Sequence, residues 1–231
     1  MSVFLYLIIL FLLLIGLLYT YWRFLFFFRD PERKIPDGDN IVSPADGTVV
    51  YIKKTNSVNV PISIKNKKEI KLDEIFKGEI ISRPYYLVGI FMHPINVHVN
   101  RSPVSGIVKE ITYMKANNLP MTMMWLRVLL KRKPYELYSK HIFNNERNTI
   151  YIEGEIPVYV TQIADIYVNK IECWLKKFDK VEKGQRFGMI KMGSQVDFLF
   201  PILPNISIKI EEGEKVKAGE TIIAIINKMD S

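Results

Sequence analysis

The strongest constraint on this chain is a run of twenty residues, 3–22, without one charged side chain. As a helix rising ~1.5 Å per residue it would span about 30 Å, the thickness of a bilayer core. A secretory leader opens with basic residues and ends at small ones. Here no charge precedes Arg23, and the run closes on Tyr19, Tyr21 and Trp22, so a retained anchor with an aromatic belt is expected. Arg23, Arg29, Arg33 and Lys34 follow, and the bias of basic residues toward the cytoplasm places the rest of the chain on that side of the cell membrane. Residues 24–28 prolong the apolar stretch into the interface. The chain thus divides into an anchor and interfacial segment, 1–28, and one folded domain, 29–231.

After a polar linker punctuated by Pro31, strand signals dominate. Residues 48–53, 58–64, 86–92, 107–114, 149–163 and 206–210 are rich in β-branched and aromatic side chains and bounded by Gly, Pro and Asn. Such spacing predicts a mainly β fold, a sandwich or barrel with a few helices. Two internal echoes sharpen it. Pro44-Ala-Asp-Gly-Thr-Val49 and Pro103-Val-Ser-Gly-Ile-Val108 share the pattern Ser-Pro-x-x-Gly-x-Val. Val181-Glu-Lys-Gly184 and Val216-Lys-Ala-Gly219 are each followed by an isoleucine six residues on, Ile190 and Ile225. Paired units of this kind are expected of a pseudo-symmetric barrel-sandwich of the lipoyl-domain type. Residues 121–140 break the pattern, with Met121, Met123, Met124, Trp125, Leu126, Val128, Leu129 and Leu130 leading into Lys131-Arg-Lys133. That composition fits an amphipathic helix on an anionic membrane, and equally a core-packed helix with a solvated basic end.

The net charge of +8 calls for an anionic partner. No helix-turn-helix, ribonucleoprotein aromatic motif or zinc spacing is present, so nucleic acid is not expected. The anchor makes an anionic membrane surface the better partner. A single cysteine, Cys173, and three histidines exclude a disulfide framework and leave no metal set.

Three residues are chemically suited to act together. Gly193-Ser194 lies between two apolar runs, in a turn or bulge that sets a nucleophilic hydroxyl beside its own preceding carbonyl. An isolated Gly-Ser is usually only a turn. Alternation through Val97-His98-Val99 puts His98 on the strand face opposite the valines, where it can serve as general acid or base. His93, before a proline, and His141 are weaker candidates. Asp46, in an Asp-Gly turn, supplies the carboxylate that a base needs for orientation.

The set Phe-Phe-Arg-Asp-Pro after the anchor, Ser-Pro-Ala-Asp-Gly, Asn-Val-His-Val-Asn-Arg-Ser-Pro, Asn145-Glu-Arg-Asn148, Gly184-Gln-Arg-Phe-Gly-Met-Ile190 and Met-Gly-Ser-Gln-Val-Asp closely resembles the short phosphatidylserine decarboxylase proenzymes. The motifs fall in the family's order from residue 27 to about 201. The resemblance implies that Ser194 attacks the Gly193 carbonyl and that the ester eliminates. The chain is cut into 1–193 (β chain) and 194–231 (α chain), with a pyruvoyl group made from Ser194. That covalent group takes the electron-sink role that pyridoxal phosphate fills elsewhere. The implied substrate is a phospholipid, phosphatidylserine or its ether-linked counterpart archaetidylserine. The implied assembly is a heterodimer of the two chains, with room for a higher oligomer. By motif position Asp46 is the orienting acid, His98 the base or proton donor, and Ser194 the pyruvoyl precursor. One position departs: longer relatives carry a second histidine three residues after the first, and here it is Arg101. An arginine cannot act as a neutral base, and a bidentate grip on the substrate's phosphate or carboxylate is the role expected of it. The non-enzymatic alternative, a membrane-anchored lipoyl-like carrier, needs a lysine after a methionine at a hairpin tip, whereas Lys191 precedes Met192.

Overall fold

Residues Val3–Tyr21 form an α-helix that buries none of its side chains against the rest of the protein, followed by a π-helical turn, Trp22–Phe26. An apolar helix left bare in this way is what a lipid-embedded element requires. The computed structural model describes residues 3–55, 83–166, 170–191 and 193–227, and the backbone of the short strands Asn59–Pro61 and Glu69–Lys71. The strand expected over 58–64 is formed at Asn59–Pro61, and its remaining residues lie outside the described ones.

The domain is mainly β. Its frame is a curled, fully antiparallel eight-stranded sheet in the order Lys180–Val181, Gly106–Met114, Arg147–Glu153, Val158–Ala164, Ser194–Pro201, Tyr85–Met92, Gly47–Lys54, Lys215–Val216. The single strand expected over 149–163 is two, Arg147–Glu153 and Val158–Ala164. Gly154 and Pro157 between them turn the chain back on itself.

The internal echoes are a pseudo-twofold axis. Val181 pairs with Gly106 at one edge of the sheet as Val216 pairs with Gly47 at the other. Ser43 Oγ donates to the Ala45 carbonyl and Ser102 Oγ to the Val104 carbonyl, both at 2.7 Å. Gly219 N–H donates to Ser43 O and Gly184 N–H to Ser102 O, again both at 2.8 Å. Two three-stranded sheets repeat the relation, Asn40–Val42 with Ile222–Ile226 and Ile206–Ile208, and Val99–Arg101 with Arg186–Ile190 and Ile171–Cys173. These small sheets close over the inner face of the large one around Ile41, Val88, Ile90, Val160, Phe187, Phe198 and Ile223.

The outer face is covered differently. Between Gly106–Met114 and Arg147–Glu153 the chain makes two short helices, Thr122–Leu129 and His141–Asn144, which pack Met121, Met124, Tyr135 and Ile142 onto Tyr51, Tyr85, Phe91 and Leu199. The helix expected within 121–140 stops at Leu129, and Pro134, which lacks an amide hydrogen, lies in the turn beyond.

Candidate active site

Ser194 is the first residue of the central strand Ser194–Pro201, hydrogen-bonded between Met92 on one side and Ala164 on the other. Strand alternation turns its side chain to the inner face, where Oγ donates to Met92 Sδ at 3.3 Å. Gly193 enters the strand with φ +58°, in the left-handed region that a residue without Cβ adopts at little cost. A Cβ there would lie 2.7 Å from Asp165 Oδ2. The Gly193 carbonyl oxygen accepts a hydrogen bond from the Asp165 backbone N–H at 3.1 Å. The Asp165 carboxylate is tied by its other oxygen, Oδ1, to the N–H groups of Met121 (3.0 Å) and Ile166 (2.6 Å). Burial pushes its pKa above the usual carboxylate range against the pull of these two donors. The Gly193 carbonyl is therefore held by a fixed backbone donor, one residue before the Ser194 hydroxyl.

His98 is fully buried, with its ring tilted against Phe27 at a centroid distance of 4.3 Å. Nδ1 lies 2.9 Å from the Asn96 carbonyl, which can only accept, so Nδ1 carries the proton. Nε2 is then a lone pair, buried and without a hydrogen-bond partner among the described residues. Burial lowers the histidine's pKa to about 4, so the imidazole is neutral near neutral pH, with the Nε2 lone pair unprotonated. Its backbone carbonyl receives Ile190 N–H at 3.4 Å, three residues before Gly193. Asn100, two residues further along, reaches Met92 Sδ at 3.7 Å, so the sulfur that receives Ser194 also receives this strand.

Asp46 and Arg101 sit at the pseudo-twofold axis rather than on the histidine ring. Both Asp46 oxygens take Arg33 Nη2 (2.9 and 3.0 Å), and Oδ1 also accepts Ala218 N–H at 2.8 Å. Arg101, expected to grip substrate, is committed elsewhere. It donates to Gly184 O (3.0 Å), Asp30 Oδ1 (3.0 Å) and Pro31 O (3.3 Å), with its side chain buried. Arg186 adds contacts to Asp30 and Glu32. These pairs strap the linker across the axis, where Ile35 packs against both positive-φ turn glycines, Gly184 and Gly219. Among the described residues no hydrogen bond joins Asp46, His98 and Ser194 to one another. What connects Asp46 and His98 is the segment 27–33, which carries Arg33 to Asp46 and Phe27 to His98.

Behind Ser194, on the outer face of the same strand, lies a buried polar network. His141 Nε2 meets Gln195 Oε1 at 3.1 Å, Gln195 Nε2 donates to Tyr51 Oη (2.8 Å) and Asp197 Oδ1 (2.6 Å), and Tyr51 donates to Asp197 Oδ2 at 2.6 Å. Tyr51 reaches across Gly89, where a Cβ would lie 2.4 Å from its ring. Burial raises the Asp197 pKa to about 6 and lowers that of His141 to about 4.

Two cavities flank Trp125. One of about 300 Å³ is lined by Phe91, Pro94, Met121, Thr122, Trp125, Asp165 and Gly193. The other, about 580 Å³, shares Phe91 and Trp125 and adds Val128, Leu129, Tyr135, Lys131 and Lys215 among its walls. An apolar hollow ending at Gly193, beside a larger one with two lysines, suits a molecule with an apolar body and an anionic group.

The role of Asp165 was not visible in the sequence, because it acts through its backbone and stands at a strand end without a motif. Met92 read only as strand core.

A family model described as phosphatidylserine decarboxylase matches residues 21–224. Over 206 residues the chain is 36% identical to the phosphatidylserine decarboxylase proenzyme of Wolbachia pipientis wMel, covering 88% of this chain and 75% of that one. The proenzyme of the same name from Syntrophus aciditrophicus is 36% identical over 208 residues, 88% of this chain and 78% of the other. The putative archaetidylserine decarboxylase proenzyme of Methanocaldococcus jannaschii is 37% identical over 204 residues, 87% and 88% of the two chains.

Proposed function

The chain belongs to the phosphatidylserine decarboxylase family, and on that premise we propose that it cuts itself at Gly193-Ser194 and removes the serine carboxylate of a membrane phospholipid. The observation that carries this reading is the Gly193-Ser194 geometry: a left-handed glycine at the wall of an apolar cavity, its carbonyl held by Asp165 N–H, and a serine hydroxyl on the next residue.

Ser194 Oγ attacks the Gly193 carbonyl carbon. Negative charge then grows on the oxygen that Asp165 N–H already faces, the arrangement by which a fixed donor lowers an acyl-transfer barrier. The hydroxyl proton needs a base, and the uncharged, unpartnered Nε2 of His98 is suited to that part. The adduct collapses by breaking the Gly193–Ser194 C–N bond, whose nitrogen takes a proton, and leaves Gly193 joined to Ser194 Oγ as an ester. Loss of the residue-194 α-proton then breaks the Cβ–Oγ bond and releases Gly193 as a carboxylate, and water replaces the nitrogen of the resulting enamine, which leaves as ammonia and gives the ketone. Ser194 fits the prosthetic group it would become, since it is fully buried and directly follows Gly193, which lines the cavity. When formed, the pyruvoyl group supplies an electrophilic carbonyl that accepts the electron pair left when carbon dioxide departs.

Asp46 acts through the linker: its ion pair with Arg33 holds the segment whose Phe27 covers His98. Arg101 belongs to the same strap. Counter-charge for the lipid phosphate falls instead to Lys131 and Lys215, which line the larger cavity. The smaller chain, residues 194–231, stays bound after cleavage because its first strand is hydrogen-bonded on both edges to strands of the larger one. Arg23, Arg29, Arg33 and Lys34 support a cytoplasmic position for the domain.

Mass spectrometry of the purified chain tests the reading. Expected are two polypeptides, residues 1–193 and 194–231, the smaller with a ketone-reactive, blocked N-terminus, and release of carbon dioxide from phosphatidylserine or archaetidylserine. Ser194→Ala is expected to remain one inactive chain, and its appearance as two fragments overturns the mechanism.

A further inference from the structure

The helix Thr122–Leu129 is amphipathic in an unusual direction. Met124 is its one buried residue, while Met123, Trp125, Leu126, Leu129 and the following Leu130 are exposed. Lys131, Arg132 and Lys133 follow, all exposed, and no acidic residue occurs from 115 to 135. Neighbouring structure extends this apolar surface toward the membrane anchor. The His93 ring stacks on Trp125 at 6.3 Å, and Ile95 in the same loop is 58% exposed. The Ile95 carbonyl receives Arg29 Nη2, from a residue just past the Trp22–Phe26 turn that ends the anchor. A continuous path of contacts therefore runs from the end of the apolar N-terminal helix, through Ile95, to Trp125. Trp125 in turn walls the cavity that ends at Gly193.

We propose that the helix Thr122–Leu129, with Leu130–Lys133 and Ile95, is a second membrane contact that lies in the interface of an anionic bilayer and opens the Gly193 cavity at headgroup level. Large apolar side chains beside a cluster of cations match acyl chains under anionic headgroups. A second copy of this chain docked patch to patch is the poorer occupant, because it would bring a like cluster of three cations against the first, and residues 115–135 hold no acidic side chain to answer it. The anchor fixes the chain to the membrane, and the second contact fixes which way the domain faces. The membrane contact stands on the surface alone; its use as the lipid's way in rests on the decarboxylase reading.

The test uses the full-length chain with Trp22→Phe and Trp174→Phe, which leaves Trp125 as the sole tryptophan, in vesicles of phosphatidylcholine with or without phosphatidylglycerol. The anchor holds the protein on both, so fluorescence reports the position of Trp125 and not binding. Acyl-chain-brominated lipid is expected to quench Trp125, roughly twofold more strongly with phosphatidylglycerol present. Lys131→Gln/Arg132→Gln/Lys133→Gln should abolish that enhancement. Trp125 unquenched by brominated lipid, quenching indifferent to anionic lipid, or quenching that follows protein density without bromine overturns the proposal, the last pointing to self-association. Leu126→Ser/Leu130→Ser should lower decarboxylation of vesicle-resident phosphatidylserine roughly tenfold and leave a soluble short-chain phosphatidylserine unaffected. Equal loss on both substrates overturns the entry role. A parent protein that stays uncut and acts on neither substrate refutes the decarboxylase reading instead, and the quenching result stands apart from it.

Discussion

The Asp165 backbone N–H donates to the Gly193 carbonyl oxygen at 3.1 Å, and the Asp165 side chain occupies the space that a Cβ on Gly193 would need. One residue thus fixes the carbonyl at the bond proposed to break and enforces the glycine that bears it. Gly193→Ala places a methyl group 2.7 Å from Asp165 Oδ2 at φ +58°, so self-cleavage should slow by about tenfold or more, from ~1–2 kcal/mol of strain. Asp165→Gly frees the space and keeps the N–H, so the double variant should recover part of the rate. The lifetime of the uncut chain on a denaturing gel after synthesis measures both.

The Arg33–Asp46 pair has side chains only 6% and 10% exposed. Removing one partner of such a pair costs about 3–5 kcal/mol, because the other charge stays buried alone. Arg33→Gln and Asp46→Asn should therefore impair cleavage alike, and the double variant should be no worse than either single one. If Asp46→Asn blocks cleavage while Arg33→Gln cleaves normally, Asp46 acts on His98 directly and the linker is incidental. A double-mutant cycle on cleavage rate and melting temperature separates the cases.

Stability should fall in acid through the buried histidines. His98 and His141 have folded-state pKa values lowered to about 4, below the ordinary 6.5, so between these pH values the unfolded chain binds protons that the folded one refuses. Each group then removes ~1.4 kcal/mol per pH unit as pH drops through that window. Asp197 has the opposite sign: its pKa is raised to about 6, so the folded protein holds a proton the unfolded chain lacks, and acid favours it. His141→Gln should flatten the loss between pH 6.5 and 4, and Asp197→Asn should steepen it below pH 6. Denaturant titrations of uncut Ser194→Ala protein across this range provide the measurement.

The two glycines paired with the edge strands of the large sheet, Gly47 and Gly106, should be equally intolerant. A Cβ on Gly47 would lie 2.3 Å from the Phe91 carbonyl oxygen, and one on Gly106 2.5 Å from that of Glu153, and neither backbone can yield. Gly47→Ala and Gly106→Ala should each destabilise the domain by about 2–4 kcal/mol. Gly47→Ala should also disturb the cavity at Gly193, which Phe91 lines, and so slow cleavage more than its counterpart. Melting temperature and cleavage rate, read together, check both.

What the sequence by itself determined is everything carried by local pattern. The uncharged run over 3–22, the alternating strands and the twin Ser-Pro-x-x-Gly-x-Val motifs specify a bare apolar helix, a β domain and its internal repeat. Those features follow from hydropathy and backbone preference, which neighbouring residues fix among themselves. Only the tertiary structure decided what faces what. Asp46 points to Arg33, Arg101 is spent on Asp30 and Gly184, and an unmarked aspartate at 165 holds the Gly193 carbonyl. Hydrogen bonds and ion pairs between residues tens of positions apart depend on how strands stack around the pseudo-twofold axis, and no local spacing encodes that.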